Sequence, residues 1–428
     1  MNGSINSCFN NSNKRLTYTH ESNYKLKSTD ELLYIVKNTN PFDTKSASLV
    51  LNIIRSFCKL NKIKIEDCEE ICNILFQMIS SNIIQKTAFG FACFSNIFLC
   101  SKFKFPLSLL PKVMNIFFKM IDYSNYTLIH TILYICVKLS GESIQHSQVI
   151  AKYFDLETLT NLIQIDNKSI QHKTLYLIGN ICSSINLKKE YAEFICEITN
   201  HIIEIKDIEL LPEAIWCFEC FMKQYFKWKD VQDKYNILTK LNNLLKDTNE
   251  QDLISEILSV IEFSYKCSIG FEIFDLEYLI KLMMFPSCST QVLSIKCLLE
   301  LIRNDNYIID KLIEYKLFSS IEYIMINGTF KGKHYAFVFI DELLDIYGSK
   351  ITEYLQQINL IYYLFDMFSS ESDKTILTCL HVLSSLIHYT NIEQIGPFID
   401  TDALYNLVES NDSLISEKAQ MIIDEIVL

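Results

Sequence analysis

The amino-acid sequence predicts an all-α fold made of stacked helical repeats, and three observations support this prediction. Apolar residues recur at helical spacing along most of the chain. Only 9 Gly and 6 Pro occur among 428 residues, so few positions interrupt regular helices. Hydrophobic residues make up 49% of the chain, as expected when each repeat buries faces against two neighbours.

The main organising feature is an apolar decapeptide that recurs about every 41 residues, a period typical of armadillo and HEAT repeats. The copies read FACFSNIFLC from Phe91, LYICVKLSGE from Leu133, LYLIGNICSS from Leu175, IWCFECFMKQ from Ile215, ILSVIEFSYK from Ile257, KCLLELIRND from Lys296, FVFIDELLDI from Phe337 and LHVLSSLIHY from Leu380. We therefore predict a right-handed superhelical solenoid of about ten armadillo repeats, a fold that presents a long concave surface.

A second apolar series repeats in the same phase, and each copy runs into a polar breaker. Its members are LETLTNLIQI, ILTKLNNLLK, LEYLIKLMMF and LIYYLFDMF. The breakers lie at 166–169, 247–250, 286–289 and 369–372. Each repeat is therefore expected to contain at least two helices joined by a short polar turn.

The domain prediction is simple. Residues 1–40 are polar, rich in Asn and Ser and weakly periodic, so we predict a flexible N-terminal leader. Residues 41–428 are predicted to form one armadillo solenoid without a linker. Two segments between the predicted helices, 225–235 and 327–334, are expected to be longer surface loops.

Several functional classes are disfavoured by composition and by the absence of motifs. No uncharged apolar stretch reaches the length of about 20 residues that spans a bilayer, and the first residues contain no apolar signal segment, so no membrane partner is expected. The net charge of −12 disfavours direct nucleic-acid binding. No phosphate-binding glycine motif and no nucleophile–base pattern is present, so we expect no cofactor and no enzymatic activity.

The 15 cysteines lie mostly on apolar faces of predicted helices, and we interpret them as reduced core residues. Cys217/Cys220 and Cys68/Cys72 have the spacing of zinc ligands, but no second pair or matching histidines accompany them, so no metal site is predicted. The acidic charge either attracts a basic partner or only maintains solubility, and charge alone does not decide between these readings.

The C-terminal part of the chain resembles the importin-α (karyopherin-α) family. In IEQIGPFIDTDALYNLVESNDSLISEKAQMIIDEIVL, an acidic stretch leads into a helix, a polar turn and a final amphipathic helix, like that family's closing repeat. The preceding LIYYLFDMFSSESDKTILTCLHVLSSLIHY looks like its penultimate repeat. LYLIGNICSS and IWCFECFMK look like its Trp/Tyr-x-x-x-Asn helices. In register and repeat count the resemblance covers about residues 43–428.

This resemblance implies an adaptor for protein import that works in the cytoplasm and the nucleus. Such an adaptor binds basic nuclear localisation signal peptides, in extended form, along its concave groove. Aromatic and Asn side chains four residues apart share one helical face. The rings hold the stems of cargo lysines, the amides pair with the cargo backbone, and nearby carboxylates receive the ammonium groups.

Placing the family pattern on this sequence gives seven predicted groove residues: Asn96, Tyr134, Tyr176, Asn180, Trp216, Glu262 and Glu342. Only Tyr176 and Asn180 form a complete aromatic–Asn pair. Lys138 and Cys220 replace the Asn that would follow Tyr134 and Trp216, and Lys138 would repel a cargo lysine. The second half contains no such pair, so a second, minor pocket is not supported by the pattern.

Alternatives stay open at this point. Trp216 and Tyr134 are better explained as core aromatics, since large aromatics at helical spacing usually are, and the two glutamates as solvated charges. The resemblance also implies importin-β as a partner, although the leader lacks the family's arginine-rich importin-β-binding segment. The alternative function is an armadillo scaffold or assembly factor that binds another protein and has no import role.

Overall fold

The computed structural model describes residues 28–60, 65–99, 105–184, 188–225, 227–369, 372–390 and 392–427. Within these ranges the regular structure is entirely helical, with 25 α-helices, one π-helical and one 3-10 segment. The all-α prediction is therefore confirmed. The chain divides into two compact units, one ending at Tyr235 and the other running from Asn236.

The first unit contains helices α1 to α12. Their bounds are Thr29–Asn38 (α1), Thr44–Leu60 (α2), Ile65–Ile79 (α3), Ile84–Phe94 (α4), Leu110–Lys119 (α5), Tyr126–Ser140 (α6), Ile144–Ala151 (α7), Leu156–Ile163 (α8), Lys168–Cys182 (α9), Lys189–Glu204 (α10), Leu211–Gln224 (α11) and Trp228–Tyr235 (α12), with a π-helical turn at Ser95–Leu99 after α4.

Long helices of the first unit pack against one another in chain order. The π-helical turn contacts α6, α6 contacts α9, and α9 contacts α11. Helices α4, α6, α9 and α11 begin about 41 residues apart, and most of one apolar decapeptide lies in each of α6, α9 and α11. Leu175, Leu177, Ile178 and Ile181 of α9 are buried, and each such burial stabilises the fold by about 1.5–3 kcal/mol.

Helical structure is present before the predicted boundary at residue 41. Helix α1 lies within the range expected to be a leader, and it packs on α2 and α3. Ser28 caps it, and Leu32, Leu33 and Val36 are buried. The leader prediction missed this helix because its apolar residues form one short run, 32–36, between polar flanks. The remainder of the predicted leader, residues 1–27, lies outside the described residues.

The second unit contains helices α13 to α25. Their bounds are Ile237–Asp247 (α13), Gln251–Lys266 (α14), Leu276–Leu282 (α15), Cys288–Asn304 (α16), Ile309–Glu314 (α17), Leu317–Asn327 (α18), Phe330–Tyr347 (α19), Ser349–Gln357 (α20), Leu360–Phe368 (α21), Asp373–Tyr389 (α22), Ile392–Ile395 (α23), Thr401–Val408 (α24) and Ser413–Val427 (α25).

In the second unit α14, α16, α19, α22 and α25 again contact one another in chain order. Shorter helices flank this series, with α13 against α14, α15 against α16, α18 against α19, α21 against α22 and α24 against α25. Within each unit, this order of contacts is compatible with an α-solenoid.

The two segments predicted as loops are mostly helical. Trp228–Tyr235 forms α12, and Trp228 is 4% exposed. Helix α19 begins at Phe330, with Thr329 as its cap, so only 328–329 separates it from α18. Crowded aromatics and lysines obscured the amphipathic pattern in 225–235, and two glycines obscured it in 327–334.

Candidate functional site

Helices α6, α9 and α11 place Tyr134, Tyr176, Asn180 and Trp216 on one connected surface of the first unit. The four side chains are at least partly accessible, and Tyr176 is 43% exposed. Tyr176 and Asn180 lie four residues apart and so point to the same side of α9. We call this surface, with Lys138, Lys173 and Glu213, the α6–α9–α11 face.

The centre of the face is an aromatic pair. The rings of Tyr176 and Trp216 have centroids 5.5 Å apart and are inclined at 52°, a favourable tilted geometry. The indole lies directly on the backbone of α9 at Gly179, where an added Cβ would come within 2.1 Å of Trp216 Cζ3. The glycine therefore makes room for the ring, which is partly exposed rather than fully buried.

Asn180 has already used the donor end of its amide. Its Nδ2 donates to the carbonyl oxygen of Val137 at 3.1 Å and to Ser140 Oγ at 2.9 Å, which ties α9 to the end of α6. Two acceptors on Nδ2 fix the orientation of the amide. No described residue donates a hydrogen bond to Oδ1, so Asn180 can accept from a ligand N–H but cannot also donate.

Tyr134 faces a cation of this chain. Lys173 Nζ lies 5.5 Å from the centre of the Tyr134 ring, within cation–π range. Burial, and then the nearby Lys138, lower the pKa of Lys173. Burial, and then Lys173, likewise lower the pKa of His130. A cargo lysine placed on Tyr134 would therefore compete with Lys173 and meet an already positive surface.

A carboxylate lies at the other end of the face. Glu213, one turn before Trp216 on α11, is mostly buried, and its Oε1 lies 3.0 Å from His172 Nδ1. Its Oε2 is buried and has no hydrogen-bond partner among the described residues. Beyond its contact with His172, the carboxylate therefore keeps one oxygen without a hydrogen bond from a described residue, and its negative charge favours a cation nearby.

Asn96 does not belong to this surface, which corrects the sequence prediction. It is 6% exposed and lies in the π-helical turn. Its Oδ1 accepts from Arg55 Nε at 3.0 Å, and its Nδ2 donates to the carbonyl oxygen of Ala92 at 2.8 Å. A buried amide with both ends occupied cannot clamp a peptide backbone.

Glu262 and Glu342 belong to the second unit, and both face basic side chains of this chain. Arg303 donates from Nε to Glu342 Oε1 at 2.9 Å and from Nη2 to Oε2 at 3.0 Å, which makes a two-pronged pair. The hydrogen bond from Arg303 lowers the pKa of Glu342. Glu262 lies 3.9 Å from Lys296. A basic ligand would have to displace these in-chain cations.

Sequence reasoning missed Lys173, Glu213 and Gly179. Lys173 and Glu213 each lie three residues before the aromatic residue of their repeat. Aligning the repeats in the same register would therefore have revealed a positive and a negative residue at equivalent positions. Gly179 was visible as a glycine in the middle of a helix, a position that usually needs a packing reason.

The other reactive groups form no recognisable centre. Burial raises the pKa of the Cys72 thiol to about 12, and it raises the pKa of Cys182 and Cys217 further, so these thiols stay protonated and unreactive. Within the described residues no three potential metal ligands cluster. No helix there combines the length and apolar character needed to cross a membrane.

Comparison with known proteins gives a fold likeness only. No family model matches the chain, and no curated protein matches it. The crystal structure of an engineered protein superposes with a TM-score of 0.62 at 12% identity, over 94% of this chain and 100% of that chain. At this identity the likeness concerns the fold and carries nothing about ligands.

Proposed function

We propose that the chain is a peptide-binding adaptor, built as a right-handed armadillo solenoid of about ten repeats. Its ligand is a lysine-rich nuclear localisation signal, as in importin-α, and it acts in the cytoplasm and the nucleus. The observation that supports this proposal is the accessible Tyr176–Trp216 pair, next to an Asn180 oxygen that is ready to accept a hydrogen bond.

The arrangement suits an extended lysine-containing strand for three physical reasons. The two rings offer apolar and cation-attracting faces to a lysine stem and its ammonium group. Asn180 Oδ1 can accept a backbone N–H of a strand that lacks internal hydrogen bonds. Glu213 supplies negative charge within a turn of Trp216.

The direct test is fluorescence anisotropy of a labelled lysine-rich signal peptide, titrated with the protein at low salt. Tyr176→Ala is expected to weaken binding by about tenfold, because a partly exposed cation–π contact and its apolar area are worth about 1–1.5 kcal/mol. Tyr307→Ala is the matched control, since Tyr307 is 91% exposed in the second unit. Absence of binding, or equal effects of the two substitutions, would refute the proposal.

A second candidate is an armadillo scaffold or assembly factor without an import role. It is favoured by Lys138 and Lys173, which oppose a purely basic ligand, and by the in-chain pairs of Glu262 and Glu342. Import of a fluorescent cargo carrying the signal, in permeabilised cells with and without importin-β, separates the two. The adaptor drives nuclear accumulation, whereas the scaffold binds its partner without it.

A further inference from the structure

We infer that the α6–α9–α11 face selects a peptide of mixed charge, with an acidic residue against Lys138 and Lys173 and a basic residue at Tyr176 and Trp216. This inference rests on the proposed peptide-binding role and specifies its ligand. It differs from a purely lysine-rich signal because one of the two recognised side chains is a carboxylate.

The positive charges at one end of the face have no counter-charge among the described residues. Lys138 and Lys173 form no ion pair with any described carboxylate, although the chain contains 51 acidic and 39 basic residues. Other lysines of the first unit do find partners. Lys168 pairs with Asp207 and Lys223 with Glu219. Two adjacent ammonium groups without a counter-charge attract a carboxylate from outside.

Burial strengthens this preference. Lys173 is half-buried between α6 and α9, where desolvation and Lys138 both lower its pKa. His130, one turn before Tyr134 on α6, is half-buried too. Burial, and then the charge of Lys173, lower its pKa. A ligand carboxylate placed here would stabilise the charged form of Lys173 and offset the repulsion between the two lysines.

The negative end of the face lies one helix further along. Glu213 on α11 keeps a buried oxygen without a hydrogen-bond partner among the described residues. It stands one turn from Trp216, whose ring contacts Tyr176. A ligand ammonium over these rings gains from both the ring faces and the carboxylate.

The spacing of the two ends sets the spacing in the ligand. Packed helices lie about 8–10 Å apart, and an extended chain advances about 3.3 Å per residue, so the two charges should be about three residues apart. A strand of the opposite charge order would fit only in the opposite direction.

The experiment compares short labelled peptides that carry one Asp about three residues before a lysine, or one Asp about three residues after it. Each is paired with the same peptide carrying Asn in place of Asp. We expect one charge order to bind about fivefold more tightly than its Asn partner at low salt, the size of one or two partly exposed ion pairs. The double variant Lys138→Gln/Lys173→Gln should lose this difference, whereas Lys311→Gln, on α17 of the second unit, should keep it.

The outcomes are distinguishable. Equal binding of Asp and Asn peptides in both orders, with Tyr176→Ala still weakening both, overturns the mixed-charge inference and leaves the adaptor proposal standing. A preference for Asp that survives Lys138→Gln/Lys173→Gln overturns it as well. Failure of every peptide to bind removes the adaptor proposal and this inference together.

Discussion

Trp216 shows how one small residue sets the geometry of the site. The indole reaches the surface of α9 only because Gly179 has no side chain, and it then meets Tyr176. Glycine within a helix costs about 1 kcal/mol relative to alanine. The close packing of the ring on the helix backbone offsets that cost. The same contact orients the aromatic pair that we propose to bind the ligand.

Gly179→Ala should therefore destabilise the protein by about 1–3 kcal/mol, because the new methyl group displaces the indole. The effect should reverse in the Trp216→Ala background, where alanine gains helix propensity and meets no ring. Urea unfolding of the two single variants and the double variant measures this coupling. Gly396→Ala is the control, since nothing lies within 4 Å of a Cβ added there. Additive effects would show that the ring does not rest on Gly179.

Asp341 in α19 is a residue at which folding opposes ionisation. Burial, followed by the charges of Asp345 and Glu342, raises the pKa of Asp341 from 3.8 to about 6. The folded chain therefore holds more protons than the unfolded chain between these values. Stability contributed by this group falls as pH rises through that window, and it stays lower at neutral pH.

Asp341→Asn should stabilise the protein at neutral pH by about 1 kcal/mol, a value reduced for partial solvent screening. At a pH of about 4 the difference should largely vanish, because wild-type Asp341 is then protonated in the fold. Thermal or urea unfolding at both pH values gives the comparison. Asp402→Asn, at an exposed position of α24, should change stability by less than about 0.5 kcal/mol at either pH. A constant advantage of Asp341→Asn across pH would contradict the assignment.

At the level of elements, the short helices begin in two alternative ways at the same place in the repeat. Asp155, Asp275 and Asp400 cap α8, α15 and α24 by accepting a backbone N–H with the side chain. Helices α13, α18 and α21 begin instead after a residue with positive φ: Asn236, Lys316 and Asn359. These starts recur about every 41 residues or a multiple of it, as the repeat requires.

Lys316 is the poorly suited member of that series, because a left-handed conformation (φ of 64°) strains a long side chain more than it strains Asn. Lys316→Asn should raise the free energy of unfolding by about 0.5 kcal/mol, and Asn359→Lys should lower it by a similar amount. Urea unfolding checks both signs. Lys311→Asn, inside helix α17, is expected to be neutral or slightly destabilising. A destabilising Lys316→Asn would contradict the argument.

The helices were predictable from sequence to the extent that their apolar periodicity is strong. Seven of the eight decapeptides lie wholly or mostly in long helices, and the described part of FACFSNIFLC runs from α4 into the π-helical turn. Periodicity does not specify which side of a helix stays accessible. Asn96 is buried and Asn180 is partly exposed, although both occupy the same repeat position. The difference comes from Arg55, a partner about 41 residues earlier that no local pattern reveals.

At the scale of the whole molecule, the charge arrangement of the site also escaped prediction. Lys173 and Glu213 each look like ordinary surface charges within their own helix. They become part of one site only when α6, α9 and α11 pack side by side. This packing places Lys173 over the Tyr134 ring and Glu213 against His172. The net charge of −12 gave no sign of a positive patch, because a sum over the chain hides local arrangement.

The cysteines offer a test of packing along both units. Among those in the described residues, Cys267 is exposed, Cys288 is partly exposed and the others are buried. Burial raises the pKa of Cys379 to about 12, and other buried thiols behave likewise, so little thiolate forms at neutral pH.

With Cys8 and Cys100, which lie outside the described residues, replaced by Ser, we expect Ellman's reagent to modify one thiol rapidly at a pH of about 8. Cys267→Ser should abolish that fast phase, because Cys267 is the one exposed cysteine among those in the described residues. Cys288 should react more slowly, and in guanidinium chloride all the remaining thiols should react at once. Cys182→Ser, at a fully buried position, is the matched control and should leave the fast phase unchanged. Rapid native modification of several thiols would mean that the interior of one or both units opens easily, which close-packed stacked helices do not permit.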